Sequence, residues 1–131
     1  MKLRIVSSKD EIETLKESEE LIHLAFRPSN KDLFKLVMRC PDVKAIHIPA
    51  SYKNTISSSA QMYLSMQGIA LLEGDVWGHR KDISEYSEIS PRVFDRIKEL
   101  KSEGLFDQGI VERVVGETRL SSDFITFIMS L

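Results

Sequence analysis

Apolar and polar positions alternate along the chain in two registers, one suited to strands and one to helices. Four short apolar runs, LRIVSS (3–8), LIHLAF (21–26), KAIHIPA (44–50) and IALLEG (69–74), are each closed by turn or capping residues. Their length and β-branched content predict strands. Helical spacing fills the gaps. Ser8 caps a short helix carrying Ile12 and Leu15, and Ser29 or Asn30 caps one carrying Leu33, Leu36 and Val37. A third carries Ile56, Ala60, Tyr63 and Leu64 and stops at Gly68. Such alternation predicts an α/β protein with a small four-stranded parallel sheet built from β-α units, the strands in sequential or near-sequential order.

Aligning the four runs places Ile5, Leu24, Ile48 and Leu71 in one column. Arg4, His23, His47 and Ala70 fall in the next, on the opposite face. The expected core includes Ile5, Leu24, Leu36, Ile46, Ile48, Leu64, Leu71, Ile97 and Leu100. From Ser90 onward the pattern is helical. Pro91 stands at a first helical position and Gly104 at a stop, with Val93, Ile97 and Leu100 between them. A second stripe carries Ile110, Val111, Val114 and Val115, and a third Phe124, Ile125, Phe127 and Ile128. No Gly/Ser/Pro-rich linker divides the chain. One domain is therefore expected over 1–131, with β-α units over 1–82 and a three-helix segment over 90–131 packed on the sheet.

With 131 residues and a formal charge of -2, acidic and basic residues interspersed, the chain lacks the strong positive balance of a nucleic-acid binder. Its single cysteine, Cys40, excludes an internal disulfide and is expected as a small buried hydrophobe. The first residues carry no secretory apolar region, and no run approaches a membrane span. A cytoplasmic protein without a membrane partner is expected. Nothing in the pattern names a cofactor, and no metal site is expected from one Cys and three scattered His.

Chemistry concentrates after the strands. In open parallel sheets, ligands sit beyond the carboxyl ends of the strands, where helix N-termini favour anions. Those ends hold Arg27, Ser29, Asn30 and Lys31, then Ser51, Tyr52 and Lys53, then Trp77, Arg80 and Lys81. Together they suit a phosphate- or carboxylate-bearing ligand. The segment GDVWGHRKD (74–82) also holds His79, a candidate general base oriented by Asp75 or Asp82. His23 and His47 are expected side by side, about 5 Å apart on adjacent strands, as a hydrogen-bonded pair.

The stretch 96–128 resembles a helix-turn-helix. Its last helix, SSDFITFIMSL, has no basic residue and many large apolar ones, so nucleic acid is an unlikely partner for it. The same apolar crowding, on more than one side of the helix, predicts that it contributes to a homodimer. The segments HLAFRPSNKD, IPASYKNTIS and MQGIALLEGDVWGHRKD, in this order, resemble a family of short proteins of unknown function from methanogenic archaea. That resemblance covers most of the chain and implies an archaeal cytoplasmic setting but no catalytic residues. Two function classes stay open: binding of, or catalysis on, an anionic small molecule at the strand ends, and a regulatory or protein-interaction module using the helical C-terminus.

Overall fold

The computed structural model describes residues 1–76 and 85–131. Strands β1 (Lys2–Val6), β2 (Leu21–Leu24), β3 (Ala45–Ile48) and β4 (Ala70–Glu73) pair in parallel in the order β4-β3-β2-β1. A fifth strand, β5 (Tyr86–Glu88), adds antiparallel to the outer edge of β1. The sequence pattern did not predict β5, because YSE holds no apolar run. It is ordered instead by its pairing with β1, where Arg4 faces Tyr86. The short helix expected after β1 is a 3-10 helix, Lys9–Thr14, preceded by Ser8.

The remaining elements are α1 (Asn30–Arg39), α2 (Ala50–Lys53), α3 (Ser58–Met66), α4 (Pro91–Ser102), α5 (Asp107–Thr118) and α6 (Ser122–Ser130). Capping explains several of the starts. Ser29 and Asp32 form a reciprocal capping box on α1. Ser57, Ser90 and Ser121 cap α3, α4 and α6 through their side-chain oxygens.

The sheet is covered on both faces, as parallel sheets require. Val6, Ile22, Leu24, Ile46 and Ile48 pack under the 3-10 helix, α1 and α3, with Leu33, Leu36, Ala60 and Leu64. Leu3, Ile5, Leu21, Ala45 and Leu72 face α4, α5 and α6, with Ile97, Leu100, Val114, Phe124 and Ile125. The expected core residues are buried except Leu71, which is half-buried near the β4 edge.

The register corrects the column alignment. Val6, not Ile5, stands beside Leu24, and Ile5 stands beside His23 and His47. A one-residue offset in β1 flips its side chains to the other face. Arg4 therefore lies under the α1 layer rather than beside the histidines. β4 is displaced by two positions, which preserves the face but puts Leu72 beside His47 and Glu73 beside Ile48.

Helix α6 lies on β4 and closes the second face. Phe124, Ile125 and Ile128 are buried within the one chain. The sheet takes one side of α6 and α5 the other, so the apolar crowding that suggested a homodimer is met within the one chain. The fit is close at Gly74. A Cβ there would stand 2.6 Å from Ser121 Oγ and 2.7 Å from His47 Nε2, against Ser121 Cβ as well. Gly116, inside α5, has nothing within 4 Å of such a Cβ. Gly74→Ala is expected to lower the unfolding free energy by about 1–3 kcal/mol through overpacking. Gly116→Ala should raise it by about 0.5–1 kcal/mol. Urea unfolding of both variants checks this contrast, and equal stabilities would contradict the close docking of α6.

Candidate functional site

The carboxyl ends of the parallel strands carry two separate polar arrangements, one on each side of the sheet. The first is an open cleft of about 530 Å³ between the 3-10 helix and the start of α1. Lys9, Asp10 and Glu13 line one wall, and Arg27, Ser29, Lys31, Asp32 and Lys35 the other. Ser29 Oγ accepts the Asp32 N–H at 3.1 Å, and the Asp32 carboxylate accepts the Ser29 N–H at 2.9 Å. The Arg27 guanidinium lies over the Tyr52 ring at 5.8 Å. Among the described residues, no carboxylate forms an ion pair with Lys9, Arg27, Lys31 or Lys35.

Of the strand-end residues expected to act together, Arg27, Ser29 and Lys31 meet in this cleft. Asn30 does not join them, since its side chain accepts the Ser57 hydroxyl at 3.0 Å. Lys53 turns to Glu73 at 3.9 Å, and Ser51 is exposed on α2 outside the cleft. Trp77, His79, Arg80 and Lys81 lie outside the described residues. Lys9 and Lys35 were missed. Lys35 stands one helical turn after Lys31, a spacing visible in the sequence; Lys9 needed the path of the 3-10 helix.

The second arrangement is built on the covered face. His23 and His47 come together as expected, with ring centroids 5.0 Å apart and Nδ1 to Nδ1 at 2.8 Å. His47 Nε2 lies 2.9 Å from Ser121 Oγ, and that oxygen also accepts the Phe124 N–H at 3.2 Å. We assign the protons in one direction. Ser121 Oγ accepts the Phe124 N–H and keeps its own proton to give, and we assign that donation to Nε2. Neutral His47 then donates from Nδ1 to His23 Nδ1. Phe124 packs edge-on against the His47 ring at 5.5 Å.

A cavity of about 600 Å³ opens beside this chain of hydrogen bonds, lined by Gly74, Asp75, Val115, Arg119, Leu120 and Ser121. Asp75, the expected orienting carboxylate, thus lies at this second arrangement and not at the cleft. Arg119 ends α5 in the left-handed conformation at φ 63°, a position that glycine usually takes. The sequence marks Ser121 or Ser122 only as a helix cap, and the meeting of Ser121 with His47 depends on where α6 docks.

Other buried polar groups are structural. Arg4 Nη1 donates to Glu85 at 2.9 Å and approaches Glu19 at 3.9 Å, while Tyr86 Oη donates to Glu19 at 2.8 Å. Burial and then the Glu19 hydrogen bond push the Tyr86 hydroxyl above its usual range. Burial, with Glu19 next, pushes Cys40 up to about 11, which leaves a protonated, inert thiol. Among the described residues no three His, Cys, Asp or Glu side chains group as metal ligands, and no helix is long and apolar enough to cross a membrane.

Burial pulls His47 down to about 4, against the opposing pull of the Asp75 and Asp123 carboxylates. The unfolded chain protonates this histidine near 6.5, the folded one near 4. Between these values the unfolded state binds the extra proton, so stability is lost as the pH is lowered. The expected loss is about 1.4 kcal/mol per pH unit, complete near pH 4. It should be absent from His47→Gln relative to the wild type in urea unfolding at pH 7, 5.5 and 4.5. Parallel curves for the two proteins would show that His47 is not held neutral.

Two family models match the chain. One, described as the N-terminal domain of a family of unknown function (DUF1699), covers residues 2–85; the other, the DUF1699 C-terminal HTH domain, covers residues 92–130. No curated protein and no solved structure matches it. The first match alone spans more than half of the chain, which belongs to the DUF1699 family.

Proposed function

We propose that this protein binds a small anionic ligand, bearing phosphate or carboxylate, in the cleft between the 3-10 helix and α1. The observation that carries the reading is the set of four cations, Lys9, Arg27, Lys31 and Lys35, lining one cleft without an ion-paired carboxylate among the described residues. Unpaired cations around a concave surface favour a multiply charged anion over a neutral ligand. Arg27 supplies a planar fork, held by its stacking on Tyr52. The first turn of α1 adds backbone N–H groups at the same wall. The archaeal cytoplasmic setting and the treatment of the whole chain as one domain belong to the same proposal and rest on the sequence.

The helix-turn-helix description of the C-terminal family model raises nucleic acid as a competing partner. Helix α6, in the place of a reading helix, has no Lys or Arg and buries Phe124, Ile125 and Ile128. The Arg96 guanidinium is committed to Glu117, with Nε and Nη2 each at 3.0 Å, and to Glu99 at 2.7 Å. Groove reading needs free basic and amide groups on the entering helix. These features favour the anion cleft over nucleic acid, and a lid role for the helices.

Titration calorimetry with inorganic pyrophosphate tests the cleft. Saturable binding is expected that weakens at least tenfold in the Arg27→Ala/Lys31→Ala/Lys35→Ala variant and stays unchanged in Lys98→Ala, on α4. At 100 times its dissociation constant the ligand should add about 2.7 kcal/mol of stability. Absence of saturable binding, or equal affinity in the triple variant, would overturn the proposal.

A further inference from the structure

We propose that Ser121 is a nucleophile, served by His47 as general base and positioned through His23, that hydrolyses small carboxylic esters in the cavity beside Gly74. The geometry is that of an activated hydroxyl: Oγ within 2.9 Å of an imidazole nitrogen whose other nitrogen is held at 2.8 Å by a third group. Ser121 is half-buried on the cavity wall, while His47 and His23 are buried behind it. The nucleophile therefore meets solvent and the base does not.

Three further observations concern the hydroxyl's surroundings. Gly74 lies so close to Ser121 and His47 that no side chain fits between them and the cavity. The residue two before Ser121, Arg119, sits in a left-handed conformation that a non-glycine residue adopts at a cost of about 1 kcal/mol. Arg119 also lines the same cavity, so a positive charge stands at the mouth where charge would develop on a carbonyl oxygen. Such strain tends to collect at functional positions. The remaining wall, Val115 and Leu120, is apolar and suits a short acyl or alkyl group.

In the first step Ser121 Oγ bonds to the ester carbonyl carbon while its proton passes to His47 Nε2. The imidazolium keeps its Nδ1–H on His23. The carbon–oxygen bond to the alcohol then breaks, and the departing alkoxide takes the proton from Nε2. Water attacks the acyl–Ser121 carbon, gives one proton to Nε2, and the acid leaves as that proton returns to Oγ. The sum is ester plus water giving acid plus alcohol. His47 is neutral throughout the neutral range, while its burial disfavours the imidazolium that this step forms. Among the described residues, His23 on β2, Asp75 beyond β4, Arg119 at the end of α5 and Asp123 at the start of α6 are the titratable and charged groups around it. The two carboxylates favour the transient imidazolium.

The full chain is to be treated with a fluorophosphonate and, separately, with p-nitrophenyl acetate. A single adduct on Ser121, located by peptide mass spectrometry, is expected, absent from Ser121→Ala. His47→Gln should slow labelling at least a hundredfold. His23→Leu should slow it and displace its pH profile, and His23→Asn, which keeps an acceptor toward His47 Nδ1, should restore both. If His47→Gln does not fold by circular dichroism, the wild-type profile decides: labelling that is lost only as pH falls toward 4 supports the relay. A rate that climbs steadily into alkaline pH, as for an unassisted hydroxyl, would overturn it. So would folded wild type with no adduct on Ser121, or folded His47→Gln labelled at the wild-type rate. Pyrophosphate binding at the α1 cleft is unaffected by any of these outcomes, since the two sites share no residue.

Discussion

The constraint on which the rest of the structure depends is that a parallel sheet of four- and five-residue strands must be dry on both faces. Every residue of β2 and β3 is buried. An alternating strand can leave one face wet, but these strands have no wet face to leave. One layer, the 3-10 helix with α1 and α3, comes from the crossovers between strands. The second layer has no crossover to supply it and must come from the end of the chain. Helices α4 to α6 meet that need, and the apolarity of α6 on more than one side follows from its place between sheet and helix. Burying one of its large side chains contributes about 1.5–3 kcal/mol, so Phe124, Ile125 and Ile128 together bind the lid firmly to the sheet.

Closing that face imposes a polar problem and solves it with the same helix. His23 and His47 point into the covered layer, where an unpaired ring nitrogen would be costly. They pair with each other, and His47 reaches the hydroxyl that caps α6. The cap oxygen thus serves the helix end and the histidine at once. Gly74 permits the approach, because the chain leaving β4 passes directly under Ser121. Lid, cap and histidine pair are one interlocked unit, which is why a methyl group at position 74 would be felt in all three.

Much of the fold was legible because it rests on local pattern. The four parallel strands, their sequential order and the helix starts near Ser29, Ser90 and Ser121 follow from period and punctuation. Strand β5 was not legible, since Tyr86–Glu88 is ordered by pairing with β1 rather than by its own composition. The β1 register was not legible either. Leu3 and Ile5 mark one face of β1 as apolar, but Ile5 and Val6 are both apolar neighbours, and only pairing with Leu24 decides which of them stands in its column. Of the candidate sites, the cleft was visible in part through Arg27, Ser29 and Lys31. Ser121 was invisible as a partner of His47, because the two are 74 residues apart and meet only through the docking of α6.

The helix-turn-helix character of the C-terminal segment and its role as a lid are reconciled by the same physics. Three short helices with tight turns form a compact unit that can present its last helix outward or inward. What decides is the chemistry of that helix. A reading helix needs a polar, basic outer face and a single apolar stripe. Helix α6 has Asp123 where a basic residue would serve, and that carboxylate accepts the Glu73 N–H at 2.8 Å, tying the helix start to the end of β4. An outward α6 would expose Phe124, Ile125 and Ile128 and leave the sheet bare. The inward arrangement satisfies both surfaces and sets the helix start beside the strand ends, where an open parallel sheet presents its reactive edge. The family's helical domain thereby becomes one wall of the α/β unit, and the residues at its seam, Gly74, Arg119 and Ser121, are those whose chemistry neither half holds alone.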